Sequence, residues 1–289
     1  MTLDDVAPSS APVARPGSTV VITGGTGGIG LATATALAAT GARLVLVGRD
    51  RARGERAQQA VGGKSAFVAA DLGSLDGVRR LTGELLDAYG RPDVLLANAG
   101  GLYAQRRTTA DGYEASLAVN LIGTYLLARD LLSGPGTSRL VHVSTSGVRM
   151  ARPAFDDPQS ERWYRGMDVY GRSKLYGAAA LLDLSRERPD IHLVLADPGG
   201  ARTAMTDGMT PASVPIAMRV LWPVFRVVQR VMTPERAARS SVTAATDAQI
   251  VDGTWLGPNG RAATLPKRLQ SRDLQRQARE LAERLIGPG

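Results

Sequence analysis

The chemistry in this chain of 289 residues gathers at a few places. The first is Thr23-Gly24-Gly25-Thr26-Gly27-Gly28-Ile29-Gly30, set between an apolar run at 19–22 and a small-residue stretch at 31–38. A strand, a glycine turn and a helix make a phosphate cradle. The glycines permit a sharp turn and the close approach of a pyrophosphate, and the helix N-terminus offers unpaired N–H groups to the anion. Gly24, Gly28 and Gly30 space it as G-x-x-x-G-x-G, with Thr26 inside the turn. The second place is Ser144-Thr145-Ser146, three hydroxyls that follow the apolar run at 140–143. The third is the pair Tyr170 and Lys174, a phenol and an ammonium that a helix would place on one face. Asn120 sits inside an otherwise apolar helical stretch at 116–124. Such a conflict with local preference marks a functional or network position.

Alternating apolar runs and helical stretches must hold these residues. Runs at 19–22, 44–47, 66–70, 93–96, 140–143 and 191–196 read as buried strands, and 253–257 as a last one. Segments at 31–38, 78–89, around Asn120, at 175–186 and at 273–286 read as helices. The alternation implies right-handed crossovers and a parallel sheet whose strand C-termini form the ligand edge. The expectation is an α/β fold: a single doubly wound (Rossmann) domain with a mainly parallel sheet over 18–289. A disordered arm, rich in Ala, Pro and Ser, is expected at 1–17.

Several strand ends carry candidate ligand contacts. An acidic residue closing the second strand favours a free ribose 2′-hydroxyl, and an arginine there favours a 2′-phosphate. Gly48 followed by Arg49 argues for NADP(H), and Asp50 keeps NAD(H) as the alternative. Arg51 and Arg53 read equally as phosphate contacts or as a solvated helix start. Asp71, next to Leu72, closes the third strand and has two readings: acceptor for the adenine amine, or cap of the helix starting near Ser74.

Composition narrows the classes. The chain is 44% hydrophobic and 21% charged, as a globular protein is. Without cysteine there are no thiolate metal sites, and two histidines, His142 and His192, both in apolar runs, are too few for a metal cluster. The net charge of +8 is scattered arginine with few aromatics, which argues against nucleic acid. The acidic start and the lack of any span-length apolar run lead to a cytoplasmic expectation.

Taken in order, Thr23-Gly24-x-x-x-Gly28-Ile29-Gly30, Asp71, Asn98-Ala99-Gly100, Asn120, Ser144-Thr145, Tyr170-x-x-x-Lys174, and Pro198-Gly199 with Thr203 resemble the short-chain dehydrogenase/reductase family over about residues 18 to 205. The loops and C-terminal part are most similar to its retinol-dehydrogenase-like and dehydrogenase/reductase-like branches. The resemblance implies hydride transfer between a nicotinamide and a carbonyl or alcohol carbon. Tyr170 would be general acid for reduction and base for oxidation. Lys174 would lower the phenol's pKa, helped by the nicotinamide cation, and would bond the nicotinamide ribose. Asn120 would hold a relay water. A hydroxyl would orient the substrate oxygen. The family usually has serine where this chain has Thr145, so Thr145, Ser144 and Ser146 are candidates in that order. Asn98, Ala99 and Gly100 would hold the loop at the adenine ribose, Ile29 would pack beneath the nicotinamide, and Thr203 would bond the carboxamide or pyrophosphate.

The resemblance also implies a small-molecule substrate, a lid over it at 205–235 and a homodimer or homotetramer through the helices of Asn120 and Tyr170. Within the lid, 214–232 is basic and amphipathic, open to readings as lid, weak membrane-surface contact or subunit contact. Its apolar surface points to a lipophilic substrate. Trp163 and Tyr164 either line the substrate mouth or pack the long loop before Tyr170. A non-catalytic NADP(H) sensor is the alternative function. An epimerase or dehydratase fits the Tyr–Lys pair but not the glycine spacing.

Overall fold

The structure is a computed structural model that describes residues 11–199 and 233–287. One sheet of eight strands runs through it: β1 (Thr19–Thr23), β2 (Arg43–Gly48), β3 (Ser65–Ala69), β4 (Val94–Ala97), β5 (Ser138–Val143), β6 (Ile191–Ala196), β7 (Thr254–Leu256) and β8 (Ala262–Ala263). Its order is β3-β2-β1-β4-β5-β6-β7-β8, parallel except for the antiparallel β7–β8 pair. This is the expected α/β architecture. The order reverses between β1 and β4, and such a switch point opens a crevice at the strand C-termini where ligands bind.

The strands are short continuous apolar runs because both faces are covered. On one face lie α1 (Gly28–Ala38) and α2 (Arg51–Val61), packed on Ile22, Leu44 and Leu46. On the other lie α3 (Leu75–Tyr89), α5 (Thr124–Leu131) and α6 (Gly166–Glu187), packed on Val21, Leu95 and Leu140. Asp50 caps α2 by accepting the Arg53 N–H at 2.8 Å, and Ser74 caps α3. The cap reading of Asp71 therefore falls: its carboxylate accepts the Gly73 N–H at 2.9 Å instead.

Two features differ from the sequence expectation. The arm does not extend to residue 17: Ala11 and Ala14 are buried, and the Ala14 N–H donates at 2.8 Å to the Ala245 carbonyl of α8 (Arg239–Thr246), the helix after the short α7 (Pro234–Ala237). The small apolar residues find cover there, so composition alone misjudged them. The second is β8, two exposed alanines too short to show any period.

The C-terminal helix α9 (Arg272–Ile286) lies across both α5 and α6. The Tyr125 hydroxyl donates to Glu283 at 2.6 Å, the Arg129 guanidinium pairs with Glu283, and Arg279 pairs with Asp183 at 3.3 Å. These are the helices through which subunits were expected to meet, and the chain's own α9 covers them.

Candidate active site

The glycine turn is built for close packing. A Cβ on Gly30 would lie 2.3 Å from the Gly24 carbonyl oxygen and 2.5 Å from Asn98 Nδ2, and one on Gly48 would lie 2.7 Å from the Thr26 side chain. Gly24 and Gly28 hold φ of +66° and +53°, in the left-handed region that favours glycine. Asn98 staples the turn to the switch point, its Nδ2 donating to the carbonyls of Thr23 at 2.9 Å and Gly24 at 3.3 Å. The Ala99 N–H donates to Thr23 Oγ1 at 3.0 Å. Among the described residues no side chain caps α1, which leaves its first-turn N–H groups available to an anion. The residues thus fit a dinucleotide: Gly24, Thr26, Gly28, Ile29 and Gly30 would take the pyrophosphate, and Arg49 and Asp71 the adenosine end. Arg49 makes no hydrogen bond or ion pair among the described residues and, with Asp71, Ser74 and Arg80, lines a cavity of about 300 Å³. The Leu72 side chain belongs to the core, leaving its backbone as the part that can meet a ligand.

The helix carrying Asn120 is irregular where the sequence conflict predicts. It begins as α4 (Ala115–Leu117), widens into a π-helical turn over Ala118–Gly123 and resumes as α5. Such turns admit one extra residue and re-aim its neighbours. Gly123 makes this one compatible with the sheet, since a Cβ there would lie 2.0 Å from the Leu72 carbonyl oxygen. Asn120 is wholly buried. Its Oδ1 accepts the Gly101 N–H at 2.9 Å, while Nδ2 donates to the Gly101 carbonyl at 2.9 Å and to Ser173 Oγ at 2.8 Å. Ser173 Oγ in turn donates to the Tyr170 carbonyl at 2.9 Å. Asn120 therefore braces the loop after β4 against the helix of Tyr170. One lone pair on Oδ1 is the acceptor capacity left on the side chain for a relay water.

Tyr170 lies in α6, which starts at Gly166, earlier than the apolar pattern suggested. A Cβ on Gly166 would lie 2.2 Å from the Tyr103 carbonyl oxygen, so the helix start is pressed onto the loop after β4. The Tyr170 hydroxyl makes no hydrogen bond among the described residues, and burial, then the charge of Asp197, pushes its pKa up to about 12. Lys174 is 2% exposed, and its Nζ donates to the Val143 carbonyl at 2.8 Å and to the Ala99 carbonyl at 3.5 Å. Burial brings its pKa down to about 8. The expected lowering of the phenol by Lys174 is thus absent here: the ammonium bonds the ends of β4 and β5, and desolvation wins at the phenol. Gly100 allows this, since a Cβ there would lie 3.1 Å from Asn120 Oδ1 and 3.3 Å from Lys174 Nζ. His142 is fully buried beside Lys174, and both effects hold it neutral.

The three hydroxyls separate. Ser144 is 2% exposed and its Oγ has no partner among the described residues. Thr145 is half-buried and accepts the Gly147 N–H at 3.2 Å, which leaves its own proton free to donate. Ser146 is exposed. Tyr164 packs the loop: its hydroxyl donates to the Tyr103 carbonyl at 3.1 Å and sits 3.3 Å from the buried Glu114 carboxylate. Trp163 is exposed, with the Arg165 guanidinium 4.8 Å from its ring centre. Pro198 and Gly199 close β6, and Gly199 turns at φ +71°. Thr203 and the 214–232 segment lie outside the described residues, as does most of the 205–235 lid.

A dinucleotide cradle at the switch point, with a tyrosine, a buried lysine and a braced asparagine on the same sheet edge, defines a nicotinamide-dependent oxidoreductase. The short chain dehydrogenase family pattern matches residues 18–156. A Streptomyces sp. (strain C5) protein, provisionally named a daunorubicin C-13 ketoreductase, is 41% identical over 67% of this chain and 69% of its own. Retinol dehydrogenase 14 of Mus musculus is 32% identical over 94% of this chain and 86% of its own. A crystal structure of an uncharacterised protein from Mycobacterium paratuberculosis matches with a TM-score of 0.75 and 26% identity, covering 97% of each chain. The chain belongs to the short-chain dehydrogenase/reductase family, on its retinol-dehydrogenase-like branch.

Proposed function

We propose that the protein reduces a carbonyl on a lipophilic small molecule with NADPH, the alcohol oxidation being the reverse. The observation that carries this reading is the unpaired Tyr170 hydroxyl, in its protonated form, beside the buried Lys174 and the uncapped helix of the glycine turn. The cofactor, when bound, supplies the hydride. Tyr170 gives its proton to the substrate oxygen. Thr145 donates to that oxygen and orients it, using the proton its bond to Gly147 leaves free. Lys174 holds the nicotinamide ribose, and Asn120 keeps the loop and α6 in register while it does so.

The preference for NADPH rests on the end of β2. The Thr26 side chain leaves no room for a side chain at Gly48, so a ribose-binding carboxylate cannot stand at that position. Asp50, the next acid, is engaged in capping α2, and Arg49 is free to meet a 2′-phosphate. A lipophilic substrate agrees with the daunorubicin ketone and the retinol in the names of the two relatives. The test is NADPH consumption against a panel of apolar aldehydes and ketones, with NADH and Tyr170→Phe in parallel. Turnover with NADPH that falls by about 10²- to 10⁴-fold in the variant is expected. A wild-type protein that binds NADPH and turns over nothing would return the sensor reading to the front.

A further inference from the structure

Glu114 is a wholly buried carboxylate that the reaction as described does not use. It makes no ion pair among the described residues, and hydrogen-bond donors satisfy it instead. Its Oε1 accepts the Ser116 N–H at 3.0 Å and its Oε2 the Leu117 N–H at 2.8 Å, which caps α4 just before the π-helical turn of Asn120. A cap alone needs no buried charge, since serine or asparagine serves. Burying a carboxylate without a cation is costly, and the extra reach of glutamate goes to a third donor. Oε1 lies 3.3 Å from the Tyr164 hydroxyl, which shares its one proton with the Tyr103 carbonyl 3.1 Å away. Burial, then the Glu114 charge, pushes the Tyr164 pKa up to about 12, so the donor keeps its proton. The Glu114 N–H donates to Gln159 Oε1 at 2.8 Å, and a second residue of the same loop is thereby tied to the same point.

Tyr164 stands two residues before α6. The Tyr103 carbonyl that its hydroxyl meets is the one against which Gly166 is pressed, so the same contact locates the first turn of the helix. Tyr170 comes one turn later. Three residues beyond it, Ser173 Oγ accepts from Asn120 Nδ2 at 2.8 Å. Two links therefore join α6 to the helix of Asn120: Tyr164 to Glu114 before Tyr170, and Ser173 to Asn120 after it. Among the described residues nothing bonds the Tyr170 hydroxyl itself, and what the two links hold is the helix that carries it.

Resting on the reductase reading, we propose that Glu114 is a positioning residue: through Tyr164 it pins the first turn of α6 to the start of the Asn120 helix, and with the Asn120–Ser173 bond it sets where the Tyr170 hydroxyl meets the substrate oxygen. With one link gone, α6 can pivot about the other. A displacement of about 1 Å at the reacting atoms costs up to about 10²-fold in rate.

Tyr164→Phe tests this, since it removes one hydroxyl and keeps the ring in the loop. Hydrogen exchange, which needs no substrate, reads the link: protection should fall by about 3- to 10-fold in 115–123 and in 166–172 together, the worth of one hydrogen bond, with β1 unchanged. Single-turnover hydride transfer from NADPH to a carbonyl substrate reads the consequence: its rate should fall about 10- to 100-fold at full amplitude. A misfolded fraction would instead lower the amplitude and leave the rate alone. Glu114→Gln should repeat both effects, and Tyr164→Phe decides by itself if that variant does not fold. A wild-type rate in folded Tyr164→Phe, a loss confined to the amplitude, or exchange that rises in only one of the two segments overturns the proposal. A wild type that turns over nothing, with exchange rising in both segments of the variant, would fault the reductase reading and leave the link standing.

Discussion

Gly30→Ala and Gly27→Ala differ by one methyl group three residues apart, and the structure assigns them opposite fates. At Gly30 the new Cβ meets the Gly24 carbonyl oxygen at 2.3 Å and Asn98 Nδ2 at 2.5 Å, where ordinary contact begins near 3.4 Å. The turn must open by roughly 1 Å. Such overpacking costs about 1–3 kcal/mol. Breaking the bonds of Asn98 to Thr23 and Gly24 adds about 0.5–1.5 kcal/mol. Alanine returns about 1 kcal/mol through helix propensity. The net is a loss of about 0.5–3.5 kcal/mol. At Gly27 nothing among the described residues lies within 4 Å of an added Cβ, and φ of −178° is extended backbone that any residue adopts. Gly27→Ala should keep the stability of the cofactor-free protein within about 0.5 kcal/mol. Denaturant unfolding measures both, and calorimetric titration with NADPH measures the second consequence. Gly30→Ala should bind about 10- to 100-fold more weakly, because its cradle is displaced. Gly27→Ala should lose affinity without losing stability, because its methyl would point into space that no described residue fills and that the cradled ligand needs. A Gly30→Ala protein of unchanged stability and affinity would refute the account of the turn. So would a Gly27→Ala protein that unfolds early.

Thr145→Val removes a hydroxyl at constant shape and should lower kcat about 10²- to 10³-fold with little change in KM for NADPH, whereas Ser144→Ala should stay within a few-fold of wild type; the reverse ranking would move the orienting role to Ser144. Since burial brings Lys174 down to about 8, reductive kcat/KM should fall as pH rises through about 8 and the ammonium is lost. The same shift carries the opposite sign for folding: between about 8 and the ordinary 10.5 the unfolded chain binds the extra proton, so this group's contribution to stability grows with pH, a slope that Lys174→Met should abolish in pH-dependent unfolding. Light scattering should give a monomer near 30.4 kDa, because α9 covers α5 and α6; a dimer that persists in Tyr125→Phe/Glu283→Gln would place the interface elsewhere.

The parts of this protein that were legible in its sequence are those with a period or a fixed spacing. Six apolar runs gave six strands within a residue or two, because strands buried on both faces need nothing but apolar residues. Tyr170 and Lys174 were legible because four residues on a helix is a geometric statement. Asn120 announced itself as a conflict, but the π-helical turn that resolves the conflict depends on Gly123 meeting the Leu72 carbonyl, a contact between distant segments. Arg139 stands just before the apolar run at 140–143 and is nonetheless fully buried, since its guanidinium closes the end of α8 by donating to the Ala244 and Asp247 carbonyls at 2.9 and 2.6 Å. Tertiary partners of this kind leave no local trace in composition or spacing.

The place of β1 inside the sheet, paired on both edges, has a consequence for how the chain comes into being. β1 finds β2 soon after synthesis, with Thr19 opposite Arg43, but its other edge waits for β4, where Val20 meets Val94. At about 5–20 residues per second, the stretch between them takes roughly 4–15 s to emerge. During that interval a fully apolar strand, with the glycine turn at its tip, presents an unpaired row of N–H and C=O groups to anything nearby. The Asn98 staple arrives with β4 and closes that interval by locking the turn as the strand pairs. The nascent chain is thus most exposed to mispairing before residue 98, and least able to hold a nucleotide at the same stage.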